Sequence, residues 1–238
     1  MGRTFVETFD HGPCGWIGWD GESGPTPVEI HDSVAISRGP WWIDCNHAPP
    51  GAGYLHILFA LHTQHGPKFP ESILKAGGPN PYVAGKFPTN LTNAKVTVRV
   101  KGEVKLRGAQ MLLLAQGNLS KELAIPNWVN QVLAAQPFAI TPEWSEQTIQ
   151  LVPDPKQWIN LGTRHDRVGF YGGGPIDQLL RDMNGDIILV LFPLDVRPVG
   201  PRTIPDFHKG WAERDYDVDR SRLPEGEVML DEVRIEFP

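Results

Sequence analysis

The residues best placed to do chemistry lie in one short run, Asp44-Cys45-Asn46-His47-Ala48-Pro49-Pro50-Gly51-Ala52-Gly53-Tyr54-Leu55-His56, directly after Trp41-Trp42. Pro49 and Pro50 stiffen the chain, and Gly51 and Gly53 let the backbone approach a ligand closely. Asp44, Asn46, His47, Tyr54 and His56 supply hydrogen-bonding groups. A stiff polar loop beside indole rings is what a sugar pocket needs. The C–H faces of a sugar stack on aromatic rings, while its hydroxyls seek amides, carboxylates or guanidinium groups. The same run also reads as a tight strand connection in which His47 bonds only to backbone. If Trp41 and Trp42 share a strand, their rings point to opposite faces, so one belongs to the core and the other to solvent or a cleft. Trp19 is a further candidate platform, and Trp144 is assigned to the core.

A second constellation is Arg164-His165-Asp166-Arg167, followed by Gly169-Phe170-Tyr171-Gly172-Gly173-Gly174. A polysaccharide lyase needs a neutraliser for the substrate carboxylate and a His or Tyr as base and acid. Arg164, His165 and Tyr171 match that set, as they also match a polar hairpin with surface ion pairs. The glycines make no nucleotide loop, because neither GxxxxGK[ST] nor GxGxxG is present. His62 and His65 are three apart on a strand end and so face opposite sides. His56 and His62 share a parity but stand roughly 20 Å apart, too far for one metal ion. Asp215-Tyr216-Asp217-Val218-Asp219 starts like a calcium loop, but Arg220 and Gly226 stand where an EF-hand needs Gly and Glu. No carboxylate pair stands out as a glycosidase couple.

The elements that would position these groups are mostly strands. Val96, Val98 and Val100 alternate with Lys95, Thr97, Arg99 and Lys101, the pattern of a half-buried antiparallel strand. The run 110–115 is its expected partner. Residues 186–194 are almost wholly apolar and predict a central strand covered on both faces. Further strands are expected at 28–37, 54–63 and 146–152, and at both chain ends, Thr4 to Asp10 and Val228 to Phe237. A short helix is expected within 126–135 and another within 177–183. Segments 64–90, 117–137 and 197–225 read as elaborated loops. The whole chain, 1–238, is read as one all-β domain, an antiparallel β-sandwich with long loops and one or two short helices.

Composition sets outer bounds. Gly 25 and Pro 23 suit many short strands joined by turns, and Trp 8 with Phe 10 can build a core. A net charge of −6 without a block of like charges argues against a nucleic-acid partner. No apolar run approaches a membrane span, and no secretory signal is visible at the N-terminus, which leaves the compartment open. Cys14 and Cys45 form no CxxC pair and read either as one disulfide or as two free thiols.

Phe5-Val6-Glu7-Thr8-Phe9-Asp10, followed by Gly15-Trp16-Ile17-Gly18-Trp19, resembles the opening of a galactose-binding-like jelly roll, the fold of several carbohydrate-binding module families. Leu91 to Gly102, Glu143-Trp144-Ser145-Glu146-Gln147-Thr148 and Leu230-Asp231-Glu232-Val233 resemble later strands of the same modules. The resemblance implies a jelly roll, a carbohydrate partner and a structural calcium joining the first and last strands, with Glu7, Asp10 and Asp231 as oxygen ligands. It calls for no organic cofactor. This chain is longer than the usual module, and the excess lies in the three long loops.

The leading reading is therefore a carbohydrate binder using Trp19, Trp41, Trp42, Asp44, Asn46, His47, Tyr54, His56 and Arg164. The competing enzyme reading, a polysaccharide lyase or glycoside hydrolase, would use His47, His56, His165 and Tyr171 as acid–base groups and Arg164 as neutraliser. A third reading is an interaction sandwich in which every Trp is core.

Overall fold

The computed structural model describes residues 2–20, 23–44, 54–63, 71–119, 128–161, 171–201, 212–213 and 216–238. Two antiparallel sheets carry the fold. The first holds β1 (Thr4–Glu7), β4 (Glu29–His31), β5 (Val34–Arg38), β7 (Lys95–Lys105), β10 (Ser145–Gln150) and β16 (Glu225–Glu236), in the order β10-β7-β16-β5-β4, with β1 also on β16. The second holds β2 (Trp16–Asp20), β3 (Gly24–Pro27), β6 (His56–His62), β8 (Gln110–Asn118), β9 (Trp128–Leu133), β11 (Trp158–Asn160), β12 (Tyr171–Gly172) and β13 (Asp186–Phe192). Its order is β11-β9-β8-β13-β6-β2-β3, with β12 beside β9. A small ribbon pairs β14 (Pro198–Pro201) with β15 (Tyr216–Val218).

Sequence periodicity explains the layers. Val96, Val98 and Val100 of β7 and Val228, Leu230, Val233 and Ile235 of β16 face Leu113, Ala115, Ile187, Leu189 and Leu191 in one buried cluster. The chain ends meet as their strand patterns predict, Phe5 opposite Ile235 and Glu7 opposite Val233. β13 is central, between β6 and β8. Its alternate residues Ile188, Val190 and Phe192 fill a second cluster on the sheet's other face, together with Leu112, Leu114 and Val132. Helix α1 (Glu71–Gly77) adds Ile73 and Ala76 to that cluster.

Four expectations are corrected. β7 and β8 do not form a hairpin: β7 pairs with β10 and β16, β8 with β9 and β13. The turn at Arg107 (φ 53°) and Gly108 (φ 93°) carries the chain from one layer to the other. The helix expected within 126–135 is instead strand β9, whose Val129, Val132 and Leu133 are needed in two cores at once. The segment 64–90 holds α1 and α2 (Pro81–Ala84), the latter started by Asn80, which accepts the Val83 N–H, with Pro81 just inside. With α3 (Ile176–Arg181) the described residues hold three short α-helices, in keeping with an all-β sandwich of few short helices. Trp144 is half-buried, not core, and lies beneath the cations of Arg99 and Lys101, 5.1 and 4.8 Å from its ring.

Candidate functional site

A groove opens where the edge of one sheet meets the edge of the other. The β2–β3 hairpin supplies Gly18, Trp19, Asp20 and Thr26, β4 and β5 supply Glu29, Ser37 and Arg38, and the segment after β5 brings Pro40, Trp41 and Trp42. Its volume is about 290 Å³, close to the lower end of small-molecule sites, ~300 Å³. Gly18 stands opposite Thr26, and a Cβ there would come within 2.8 Å of the Thr26 hydroxyl. Its bare backbone makes room for that hydroxyl. Trp41 is buried and donates its indole N–H to Ser37 Oγ at 2.9 Å. Trp42 and Trp19 are half-buried, each with part of its surface open.

The groove's charges are unequal. Arg38 donates from Nε to Glu227 Oε2 at 2.9 Å and from a terminal nitrogen to Glu29. These carboxylates, Glu29 foremost, hold the guanidinium still more firmly protonated than usual. Asp20 accepts the Ser23 N–H at 2.9 Å and its hydroxyl at 3.1 Å. With Arg38 shared between Glu29 and Glu227, the described groove is a weakly acidic hollow.

The other expected site residues are placed as follows. His56 is 1% exposed, beneath the groove rather than in it. Its Nδ1–H donates to the Trp42 carbonyl at 2.8 Å, and its ring lies 5.7 Å from that of Trp41. Burial pushes its pKa down to about 4, so at neutral pH it is an uncharged strut that fixes the backbone of Trp42. Asp44 is buried and its backbone bridges to Leu55. The Tyr54 hydroxyl meets that of Tyr216 at 2.8 Å, and Tyr54 lines a separate hollow of about 610 Å³ with Val196, Pro198 and Val199. Tyr171 pairs through its backbone with Trp128. Asn46, His47, Arg164 and His165 lie outside the described residues.

His56 and His62 do not share a face. Leu189 pairs with Phe59 and Val190 with Ile57, so Leu58 is an extra residue in β6. This bulge reverses the parity between the two histidines. His56 therefore faces the layer between the sheets, while His62 faces the opposite side with Asp186.

The carboxylates expected to hold calcium do not converge. Glu7 is buried, and its Oε1 accepts the N–H groups of Thr8 and Phe9 at 3.1 and 2.8 Å. Asp10 accepts the Thr8 hydroxyl at 2.7 Å, and with Ser33 this lowers its pKa. Asp231 is the extra residue of the β16 bulge and pairs with Arg99 on the outer side. Glu7 sits opposite core-facing Val233, on the other face of the sheet. Among the described residues no cluster of three or more His, Cys, Asp or Glu is arranged to hold a metal ion. Cys14 is a buried free thiol; burial, with Glu7 nearby, pushes its pKa up to about 11.

Asp20, Thr26, Glu29 and Arg38 were missed by sequence reasoning. Only the adjacency of Asp20 to Trp19 hinted at any of them, because strand edges from different sheets meet in space and not in sequence.

No protein-family model matches the chain, and no curated protein does. Among solved structures, one similar chain comes from work described as "Prominent members of the human gut microbiota express endo-acting O-glycanases to initiate mucin breakdown". The two are 11% identical, the alignment covers 98% of each chain, and the TM-score is 0.40. So loose a likeness transfers neither chemistry nor substrate. What the fold and the groove define is an antiparallel β-sandwich with an aromatic, weakly acidic hollow at one sheet edge.

Proposed function

We propose that the protein binds a neutral carbohydrate in the groove of Trp19, Trp41 and Trp42. The observation that carries this reading is the gathering of three indoles with Asp20, Glu29, Thr26 and Ser37 around one small hollow. The half-buried rings of Trp19 and Trp42 offer faces for sugar C–H groups, and the carboxylates and hydroxyls offer partners for sugar hydroxyls. Uronic or sulfated sugars are disfavoured. The arginine that would neutralise them is already held by Glu29 and Glu227, and the excess of carboxylates over cations in the described lining repels anions. The resemblance of the opening and closing strands to galactose-binding-like modules supports the same reading. Binding of this kind needs no covalent chemistry.

The test is a glycan array covering neutral, amino and acidic oligosaccharides, run on the protein and on Trp42→Ala. Selective binding of neutral glycans, reduced at least tenfold in Trp42→Ala, supports the proposal. Preference for acidic glycans, or unchanged binding by the variant, overturns it.

A further inference from the structure

One wall of the groove is a crossing segment, and a single buried ring anchors it. After β5 the chain leaves the first sheet and reaches the edge of the second, where Asp44 and Leu55 exchange backbone hydrogen bonds at 2.8 and 3.2 Å. Trp41 and Trp42 lie within this crossing and line the groove. Among the described residues no backbone–backbone hydrogen bond holds residues 41–43. Two side chains hold them instead. The Trp41 indole donates to Ser37 Oγ at 2.9 Å, and the Trp42 carbonyl accepts from His56 Nδ1 at 2.8 Å. His56 opens β6, and the next two residues, Ile57 and Leu58, also line the groove. One imidazole therefore ties the indole wall to the strand beneath it.

This anchor works only with a neutral ring. Nδ1 carries the proton given to Trp42, so Nε2 holds the lone pair. Nε2 is buried with no partner, and a proton placed there finds no acceptor among the described residues. The surroundings do not help a cation. The strand neighbours Leu55 and Ile57 and the β13 partner Leu191 are apolar, and the Trp41 ring lies 5.7 Å away. Asp44 pairs with Leu55, so its side chain falls on that residue's face of the sheet and not on that of His56. Among the described charged groups, the one acting on the ring is Arg220, which repels a second positive charge. Glu213 could offset that repulsion, but both its oxygens meet the Arg220 guanidinium at 2.6 Å. Burial above all, and Arg220 after it, outweigh the bond to Trp42 and hold the ring's pKa near 4. A buried, unpaired charge is expensive, so a protonated ring leaves its slot and releases the Trp42 carbonyl.

We propose that His56 is the positioning residue of the groove and that its protonation releases the bound sugar by freeing the Trp41–Trp42 wall. This rests on the groove being the carbohydrate site. Sugar and proton are then mutual antagonists. A sugar packed on Trp42 favours the neutral ring, so it lowers the His56 pKa by the same factor by which the proton weakens sugar binding. Above pH 6.5 the ring is neutral and affinity does not depend on it. Below that, affinity falls with pH. The gap between the buried ring, about 4, and a solvated one, 6.5, caps the effect at roughly 300-fold.

The experiment titrates the full chain with neutral gluco-, manno- and galacto-oligosaccharides at about pH 7, 5.5, 4.5 and 4. Calorimetry gives the affinities, and the imidazole ¹H–¹³C signals give the His56 pKa with and without saturating sugar. The series is repeated on His56→Asn, with native near-ultraviolet dichroism checked at each pH. Asp20 and Glu29 titrate in the same range in both proteins, so the comparison removes their contribution. Between pH 7 and 4 the parent should lose at least threefold more affinity than the variant, and sugar should lower the His56 pKa by at least half a unit. Parallel pH profiles overturn the proposal, as does a His56 pKa that saturating sugar leaves unmoved. If sugar binds at pH 7 and the profiles run parallel, the groove stands and this coupling falls. If no sugar binds at pH 7, both fall. Should His56→Asn fail to fold, the parent's His56 pKa with and without sugar still decides.

Discussion

His56 should make the protein acid-sensitive over a defined window. The ring is sealed beneath Trp42, and burial lowers its pKa from an ordinary 6.5 to about 4. Its Nε2 is buried and unpartnered among the described residues, so a second proton there has no acceptor. Above pH 7 the ring is neutral in both folded and unfolded chains, and contributes nothing to pH dependence. Below 6.5 the unfolded chain takes up a proton that the folded chain refuses until about pH 4. The folded state therefore loses stability as pH falls through this window, and the loss levels off below it. At 1.36 kcal/mol per pH unit the window amounts to about 3 kcal/mol. His56→Asn keeps an N–H near the Trp42 carbonyl but cannot titrate. Urea unfolding, followed by Trp fluorescence at intervals from about pH 7.5 to 4, should give two stability curves. The parent curve should converge on the variant's by about 3 kcal/mol as pH falls. Parallel curves would refute the argument, since they would mean that the buried ring carries no proton linkage.

Other perturbations follow from the same geometry. Trp16 is 1% exposed, and its indole N–H is buried without a partner among the described residues. Trp16→Ala should cost ~3–5 kcal/mol in denaturant unfolding, and Trp16→Phe markedly less, because it also removes an unsatisfied donor. Gly15 has φ +87°, and a Cβ there would lie 2.6 Å from Asn80 Cγ. Asn80 caps α2 and donates to the His62 carbonyl at 2.8 Å. Gly15→Ala should thus cost about 2–4 kcal/mol, combining left-handed strain with a lost cap, read out as a lowered urea midpoint. Arg38→Ala should change stability by less than ~1 kcal/mol, because its ion pairs are exposed. It should nevertheless lower any residual affinity for acidic glycans in a binding assay.

What could be read in the sequence was what period and composition encode. The valine alternation of β7, the apolar run of β13 and the pairing of the chain ends each follow from local pattern, and together they require a two-layered antiparallel sandwich. Patterns that depend on tertiary context were hidden. The turn at Arg107-Gly108 looks like a hairpin turn until its strands are seen in different sheets. One extra residue, Leu58, turns His56 inward and His62 outward, and no periodicity count reveals a bulge. The bulge at Asp231 likewise aims that carboxylate at Arg99 instead of toward Glu7. The indoles of the groove were legible as candidates because rings are few and large. Its carboxylates were not, since Asp20 and Glu29 belong to strands of different sheets.

The groove's role is tested most directly by the indole N–H resonances of the folded protein during titration with a neutral oligosaccharide chosen from the array. The account predicts saturable shifts at Trp19 and Trp42, with the core indole of Trp16 unmoved. Tight binding that leaves Trp19 and Trp42 unshifted, or no binding of any neutral sugar, would contradict it.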